Sequence, residues 1–383
     1  MIDGAGYNVT GDGNGYGLSL IGVTNVTIKN LNVRDFEYGV YAEATSSTNI
    51  LTNNITANTY DGIGLFLCIN TFVLENTISW NGYDGIEVYN SSKNNIQGNH
   101  IAENGWFGVS LYEYSTGNVS QNRIEDNTSG IELIDSSDNR IFHNDFRNQT
   151  LHVFTQSSSA TWDNGYPSGG NFWSDYAGND NYHGPGQNLT GSDGIGDTNY
   201  TCTEDNIDNY PLMNPWINIA VVDVLPSKSY VGEGYKLYIS VTVQNQGWNA
   251  QTTNLTVYVN TTIVGTIASL ALPKRSQAIL IFTWQTTPAL RGNYVVSSTA
   301  DPVPNEPDVR DNDRSYGRIV KVTIVGDVNG DGVVDIFDAI TLSNAFASVP
   351  NSPTWNGNVD INSDNSVDIF DAILLSGNFG KKI

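Results

Sequence analysis

The chain has 383 residues, enough for two or three domains. Its formal net charge is −23 with only 17 lysine and arginine residues, which argues against nucleic acids and anionic membranes as partners. The sequence contains no apolar run of about 20 residues that could span a membrane, and its two cysteines exclude a disulfide scaffold.

The N-terminal part, up to about residue 156, repeats every 22 or 23 residues. Each repeat has a glycine followed by an apolar residue, any residue and a second apolar residue: Gly17, Gly39, Gly62, Gly85, Gly108 and Gly130. A series of asparagines keeps the same period: Asn30, Asn53, Asn76, Asn99, Asn122 and Asn144. Three short strands fit in each repeat, so we predict a right-handed parallel β-helix whose coils are rungs about 4.8 Å high. Its apolar residues would stack inside, and its asparagines would hydrogen-bond their equivalents in neighbouring coils.

Two outward positions follow each glycine, because alternate residues of a strand point to opposite faces. At the fourth position Phe66, Tyr89 and Tyr112 predict an aromatic ladder that could bind the apolar faces of sugar rings. The alternative is that these rings pack on one another or under the C-terminal segment. At the second position Glu87 and Glu132 lie two rungs apart, about 9.6 Å, near the upper limit for an inverting glycosidase pair. They are weak catalytic candidates, because glutamates on a solvated face are common without any catalytic role.

The repeat stops near Thr161, where the segment TWDNGYPSGGNFWSDY begins. Its bulky rings, which include Trp162 and Trp173, are predicted to cover the open end of the coils. The coil pattern and this segment resemble the NosD-like β-helix family, which implies a domain over residues 1–215 with a cap at 157–215. The resemblance also implies a copper-related accessory role. We do not carry that role over, because copper needs soft or imidazole ligands and the four histidines are scattered.

Residues 216–325 change to alternating apolar and polar patterns such as YKLYISVTVQNQG and TNLTVYVN. About seven strands in this length predict an immunoglobulin-like β-sandwich. The strings SVTVQNQG, TVYVNTTIVGT and PVPNEPDVRDND resemble the CARDB domain, an adhesion-related module of prokaryotic surface proteins. The resemblance implies a spacer or an adhesive role.

The last segment, residues 326–383, contains one twelve-residue loop twice, as DVNGDGVVDIFD and DINSDNSVDIFD. Oxygen donors at loop positions 1, 3, 5, 9 and 12, with a backbone carbonyl at 7, have the spacing that surrounds Ca²⁺. Position 6, where the chain must turn sharply, is Gly332 in the first loop and Asn365 in the second.

Both loops end in aspartate, and neither follows an amphipathic helix, so the segment resembles a type I dockerin. The resemblance implies two bound Ca²⁺ ions and a cohesin domain as the partner. By that likeness the first loop's ligands are Asp327, Asn329, Asp331, the Val333 carbonyl, Asp335 and Asp338. Those of the second loop are Asp360, Asn362, Asp364, the Ser366 carbonyl, Asp368 and Asp371.

A short helix is predicted after each loop, over residues 336–346 and 369–379. Each begins with the same apolar pair, Ile336-Phe337 and Ile369-Phe370, and in dockerins this pair carries much of the partner recognition. The near two-fold repeat would let either helix face the cohesin. The alternative is that both pairs belong to the internal core. Because so small a module has little core, calcium is expected to drive its folding.

The combined prediction is a mainly β, secreted and non-catalytic surface or extracellular protein with a small helical dockerin at its C-terminus. Its β-helix would bind carbohydrate or another surface ligand, and its dockerin would attach it to a cohesin. The alternative is a polysaccharide lyase or glycoside hydrolase with its active site on the β-helix face. Calcium dependence and eleven N-x-S/T sequons favour export. No signal peptide is visible and Met1 falls in mid-pattern, so a missing N-terminus is expected.

Overall fold

The computed structural model of the protein describes residues 1–287 and 291–383. As predicted, the fold is mainly β, with two short α-helices near the C-terminus. The chain forms two compact units. Unit 1 is Met1–Asn218 with Gln246–Trp248 and Asn305–Asp308, and unit 2 is Ile219–Asn245, Asn249–Pro304 and Val309–Ile383. No helix in the described residues is long and apolar enough to cross a membrane.

Unit 1 is a parallel β-helix, which confirms the prediction, and it has three sheets to which successive coils contribute one strand each. Sheet A contains Ile2–Asp3, Thr27–Lys29, Asn49–Leu51, Phe72–Leu74, Asn94–Gln97, Gly117–Ser120, Asn139–Phe142 and Ala160–Thr161. Sheet B contains Asn8–Thr10, Asn32–Arg34, Asn54–Thr56, Thr77–Ser79, His100–Ala102, Arg123–Glu125, Asp145–Arg147 and Phe172–Trp173. Sheet C contains Tyr16–Ile21, Tyr38–Glu43, Ile63–Phe66, Ile86–Tyr89, Phe107–Tyr112, Ser129–Ile134 and Leu151–Gln156.

The period of the sequence follows from this stacking. Equivalent residues pair directly in neighbouring coils, as Ile86 does with Ile63 and with Val109, and all three are buried. The repeated glycines lie where no side chain fits. A Cβ atom on Gly85 would lie 2.6 Å from the carbonyl oxygen of Gly108.

A buried asparagine ladder connects the coils as predicted. The Nδ2 group of Asn99 donates to Oδ1 of Asn122 at 2.9 Å, and Asn99 Oδ1 accepts from Asn76 Nδ2 at 3.0 Å. Asn99 Nδ2 also donates to the Val73 carbonyl at 2.8 Å, and Asn99 Oδ1 accepts the backbone N–H of Asn76 at 2.9 Å. Each amide therefore satisfies backbone groups that would otherwise be unpaired inside the bend.

The aromatic segment after the coils closes the end of the core. Trp162 and Trp173 are each 1% exposed, and the Trp173 ring stacks on Phe146 of the last coil at 4.5 Å. The Trp173 Nε1 group donates to Asp208 at 2.9 Å, and Trp162 Nε1 donates to Asn206 at 2.9 Å. Two small antiparallel hairpins complete this region: Tyr182–His183 with Leu189–Thr190, and Tyr200–Thr203 with Asn206–Asp208.

Unit 2 begins with a sandwich of two sheets. The three-stranded sheet has the order Ile219–Pro226, Lys236–Asn245, Gln277–Gln285. The five-stranded sheet has the order Tyr230–Gly232, Asp313–Thr323, Gly292–Ala300, Gln251–Val259, Thr262–Leu272, and a 3₁₀ turn spans Arg310–Asn312. The described residues of the sandwich form eight strands, against about seven expected, because the three-residue strand Tyr230–Gly232 is too short to show alternation.

The dockerin segment has two helices, α1 (Ile336–Ala345) and α2 (Ile369–Ser376), with a 3₁₀ turn at Gly357–Val359 between them. Each helix begins directly after its loop's ninth position, where Asp335 or Asp368 caps the first turn. Helix α2 ends three residues earlier than predicted, because Gly377 is a poor helix former. The small core packs around the two loops and contains Ile324, Val328, Val334, Leu342, Ala345, Val359, Ile361, Val367 and Leu375.

Candidate functional sites

Both twelve-residue loops turn sharply at position 6, as their sequence predicts. Position 6 is left-handed in each, with φ of 93° at Gly332 and 67° at Asn365. In the first loop Asp327 Oδ1 accepts the N–H of Gly330 at 2.8 Å. The last carboxylates of the two loops, Asp338 and Asp371, make equivalent contacts. Each accepts a backbone N–H from position 2 of its own loop at 2.8–2.9 Å. The two loops are therefore copies in structure as well as in sequence.

The oxygen donors of these loops fit a hard divalent cation. Burial raises the pKa of Asp338, and the nearby negative charge of Asp327 raises it further. Burial also raises the pKa of Asp371, next to Asp364. A cation would offset this repulsion. No group of three or more His, Cys, Asp or Glu side chains in residues 1–287 and 291–383 is close enough to form a metal site, so the ligands remain a prediction from spacing.

The apolar pairs that begin the two helices are exposed rather than internal. Ile336 and Phe337 are 56% and 62% exposed, and Ile369 and Phe370 are 57% and 59% exposed. Each helix adds another exposed isoleucine one turn later, Ile340 on α1 and Ile373 on α2. These six residues are two equivalent apolar patches, and exposed apolar patches of this kind mark protein interaction sites.

On the β-helix, the three aromatic residues predicted as a ladder lie in register but do not form one continuous stack. Phe66, Tyr89 and Tyr112 pair across neighbouring strands of sheet C. The Phe66 and Tyr89 rings are 6.4 Å apart and tilted by 40°. The Tyr112 hydroxyl instead donates to the carboxylate of Glu132. Of the three, Tyr89 is the most exposed, at 40%.

A more regular stack, which we name the corner stack, consists of Tyr60, Tyr83 and Trp106. The Tyr60 and Tyr83 rings are 4.8 Å apart at 6°, and the Tyr83 and Trp106 rings are 5.9 Å apart at 9°. The three side chains are 36–44% exposed. These residues were not predicted, because only positions after each glycine were considered as outward ligand-binding positions. The available signal was an aromatic residue two places before the glycine in three successive repeats.

A second group, which we name the face stack, consists of Tyr16, Tyr41 and Phe66 on sheet C. Tyr16 and Tyr41 are 4.3 Å apart at 10°, and Tyr41 and Phe66 are 5.1 Å apart at 29°. Tyr38 lies between the two stacks, 5.6 Å from Tyr41 and 5.2 Å from Tyr60. The two stacks are therefore one aromatic surface.

Beside these rings lies an acidic cluster, which we define as Asp61, Asp84, Glu87 and Glu132. Asp61 and Asp84 are fully buried, and the Oδ1 atom of each accepts a backbone N–H from the next coil at 2.8 and 2.9 Å. Within residues 1–287 and 291–383, the Oδ2 atom of each has no hydrogen-bond partner. Burial raises the pKa of Asp84 to about 7. Burial, the charge of Asp84 and contact with Glu87 also raise the pKa of Asp61.

The two glutamates of the cluster are those predicted from the repeat. Glu87 pairs in register with Ser110, and Ser110 pairs with Glu132, so the glutamates lie two rungs apart. Burial raises the pKa of Glu87, and a contact with Asp61 partly offsets this rise. Burial also raises the pKa of Glu132, partly offset by the Tyr112 hydroxyl.

Three of the four histidines have separate local partners. His100 Nε2 is 2.8 Å from Glu125, His143 Nε2 is 2.9 Å from the Ser168 carbonyl, and His152 Nδ1 is 2.8 Å from Gln149. No group of three metal-binding side chains is found among them in the described residues. We propose no copper site.

Three family models match the chain in series. The model described as "Periplasmic copper-binding protein (NosD)" matches residues 6–178, CARDB matches 218–313, and "Dockerin type I domain" matches 325–379. No curated protein matches significantly.

Solved structures resemble stretches of the chain of different lengths. The CARDB domain of the PF1109 protein from Pyrococcus furiosus is 23% identical over 28% of this chain and 96% of its own, with a TM-score of 0.25. The periplasmic alginate epimerase AlgG is 22% identical over 38% of this chain and 35% of its own, with a TM-score of 0.34. A bacteriophage CBA120 tailspike domain is 13% identical over 80% of this chain and 55% of its own, with a TM-score of 0.36.

The chain is therefore a modular protein of the β-helix class. In particular, it consists of a NosD-type β-helix region, a CARDB domain and a C-terminal type I dockerin. A dockerin implies docking to a cohesin, and type I dockerins typically bind calcium.

Proposed function

We propose that this is an extracellular or surface protein that binds a polysaccharide on its β-helix and docks to a cohesin through its dockerin. The observation that carries the first part is the exposed corner stack of Tyr60, Tyr83 and Trp106. The observation that carries the second is the pair of equivalent apolar patches on α1 and α2. The CARDB domain between them is proposed as a spacer.

The corner stack offers ring surface along the axis of the β-helix. Nearly parallel rings whose centroids are 4.8 and 5.9 Å apart are offset-stacked, so part of each ring face stays open. Successive coils repeat this surface once per rung, about 4.8 Å apart. A long chain of sugar rings suits such a surface better than a small ligand does, because each added ring contacts another coil.

The adjacent acidic cluster restricts the charge of the ligand. Glu87 and Glu132, where they are ionised, repel a polymer that carries its own carboxylates. The whole chain adds to this effect with its formal net charge of −23. We therefore propose neutral or amino-sugar polysaccharides rather than uronate polymers as ligands.

Binding to immobilised neutral, amino-sugar and uronate polysaccharides tests this proposal on the full chain. We expect Tyr83→Ala and Trp106→Ala each to weaken binding about tenfold, which corresponds to about 1.4 kcal/mol for one aromatic contact. Tyr7→Ala is the matched control, because Tyr7 is 77% exposed and belongs to neither stack. Equal binding by all four proteins, or a preference for uronate polymers, would contradict the proposal.

A second candidate is hydrolysis of the bound polysaccharide, and the specific observation in its favour is that Glu87 and Glu132 lie two rungs apart on sheet C. Burial raises the pKa of Glu87, which favours the protonated form that a general acid needs. Glu87 would donate that proton to the glycosidic oxygen. Glu132, about 9.6 Å away by rung spacing, would take a proton from the attacking water with inversion at the anomeric carbon.

Product analysis separates this candidate from binding alone. We expect a hydrolase to release reducing ends, and both Glu87→Gln and Glu132→Gln to reduce the rate at least about 100-fold while binding persists. Glu113→Gln, at an exposed position, is the control. Unsaturated product ends would instead identify a lyase. Absence of product from every bound polysaccharide would rule out catalysis and leave binding.

Cohesin docking is tested with the helix patches. Because the patches are equivalent, we expect Ile336→Ala with Phe337→Ala to retain most binding, and likewise Ile369→Ala with Phe370→Ala. The fourfold variant should lose at least about 100-fold, because it removes both sets of apolar anchors. Val349→Ala, 50% exposed between the helices, is the control. Full cohesin binding by the fourfold variant would place the interface elsewhere.

A further inference from the structure

Residues 227–230, which we name the strut, follow the first strand of the sandwich and contact the calcium loops within unit 2. Lys228 of the strut is only 6% exposed. Its Nζ group donates to the backbone carbonyl of Asp360 and, at 2.8 Å, to the hydroxyl of Ser363. The sandwich thereby holds the start of the second loop through a buried ammonium group.

The rest of the strut extends this contact. Oδ1 of Asn358, just before the second loop, accepts the backbone N–H groups of Ser229 at 2.8 Å and of Tyr230 at 3.1 Å. The Tyr230 ring lies directly on the first loop, where a Cβ atom on Gly330 would be 2.1 Å from its Cε1. The strut therefore contacts both loops.

The contacts fall on the same position of each loop. Gly330 and Ser363 are both loop position 4, which supplies no predicted calcium ligand. Lys321 Nζ donates to the Gly330 carbonyl at 2.5 Å, while Lys228 Nζ donates to Ser363. The Asp360 oxygen that Lys228 contacts is likewise the backbone carbonyl rather than the side chain. The two lysines thus hold the loops without occupying the oxygens expected to bind the metal.

We propose that the sandwich and the dockerin are one calcium-responsive unit, in which the strut couples the conformation of the calcium loops to the sandwich. When a loop relaxes without its ion, Lys228 loses both acceptors and becomes a buried, unpaired charge, which is costly. The strut must then rearrange, and the adjoining strands loosen. Coupling is reciprocal, so an intact strut also favours the metal-binding shape of the loops.

Hydrogen exchange of the full chain, with calcium and with chelator, tests the coupling. Calcium should raise protection at least about tenfold in the loops and also in sandwich residues 227–232 and 236–245. In Lys228→Met, which keeps the apolar stem, the sandwich response should fall below about threefold while the loops still respond. Lys274→Met, at an exposed site of the same sandwich, should behave like the wild type.

Asn358→Ala removes the acceptor on the dockerin side of the same contact. It tests the coupling independently if Lys228→Met fails to fold. It should reduce the sandwich response without removing either loop. The proposal rests on calcium binding by the loops, so calorimetry should count two ions per chain alongside each exchange experiment. Two bound ions without a sandwich response, or a full response in both variants, would overturn the coupling alone. Absence of calcium binding would overturn the coupling together with the calcium binding on which it rests.

Discussion

The β-helix and the dockerin satisfy buried backbone groups with closely related side chains, but with opposite consequences. In the β-helix, Asn99 donates to Asn122 and accepts from Asn76, so the amides satisfy one another. In the dockerin, Asp338 only accepts, and the first loop contains four aspartates and no lysine or arginine of its own. The first region is therefore self-sufficient, whereas the second calls for a cation.

Chelation should produce the largest difference between the two regions. Removal of calcium is expected to unfold the dockerin helices, because so small a core gains most of its folding free energy from the metal. Hydrogen exchange in α1 and α2 should accelerate at least about 100-fold, while the coils of the β-helix remain unchanged. Equal protection of α1 and α2 with and without calcium would contradict the comparison.

Replacing an amide by a carboxylate within the asparagine ladder should give the β-helix a buried negative charge, as in the dockerin loops, and destabilise it. Asn99→Asp removes the donor to Val73 and Asn122 and buries a charge beside an acceptor. We expect the free energy of unfolding of the β-helix to fall by about 4 kcal/mol. Denaturant unfolding of the calcium-loaded chain measures it. Asn118→Asp, at an exposed site on sheet A, should cost less than about 0.5 kcal/mol.

The smallest expected effect is the pH dependence of the acidic cluster. Burial raises the pKa of Asp84 from its ordinary value of 3.8 to about 7, so the folded state binds the proton more tightly than the unfolded chain does. Stability should therefore fall as pH rises from about 4 to 7, by about 2 kcal/mol after relaxation of the site. Hydrogen exchange of sheet C measures this change. Asp84→Asn keeps the acceptor for Phe107 and should flatten the profile, and an unchanged slope would assign it to Asp61, Glu87 or Glu132.

Features that repeat along the chain could be predicted from the sequence. A coil can stack only if equivalent positions agree, so the series of Gly85 and Asn99 determines the β-helix. The calcium loops follow for the same reason, because ligand spacing is local. In each case the physical constraint acts between residues at a fixed separation in sequence.

Features that depend on distant partners were not predictable. The contact of Lys228 with Asp360 joins residues 132 apart, and no pattern near either residue announces it. The corner stack was accessible in principle, but Tyr83 lies in a bend rather than in a strand, where alternation gives no guidance. Alternation also fails for Tyr230–Gly232, which pairs with the last strand of the sandwich over only three residues.

The corner stack has a consequence for the length of ligand that the β-helix can hold. Its three rings come from successive coils of 23 residues each, and every coil contacts only its neighbours. Duplicating one coil would add one ring to the stack and about 4.8 Å to its length without disturbing the others. The number of coils that carry a ring thus sets the length of polymer that the stack can contact, and this length changes by one rung for each coil gained or lost.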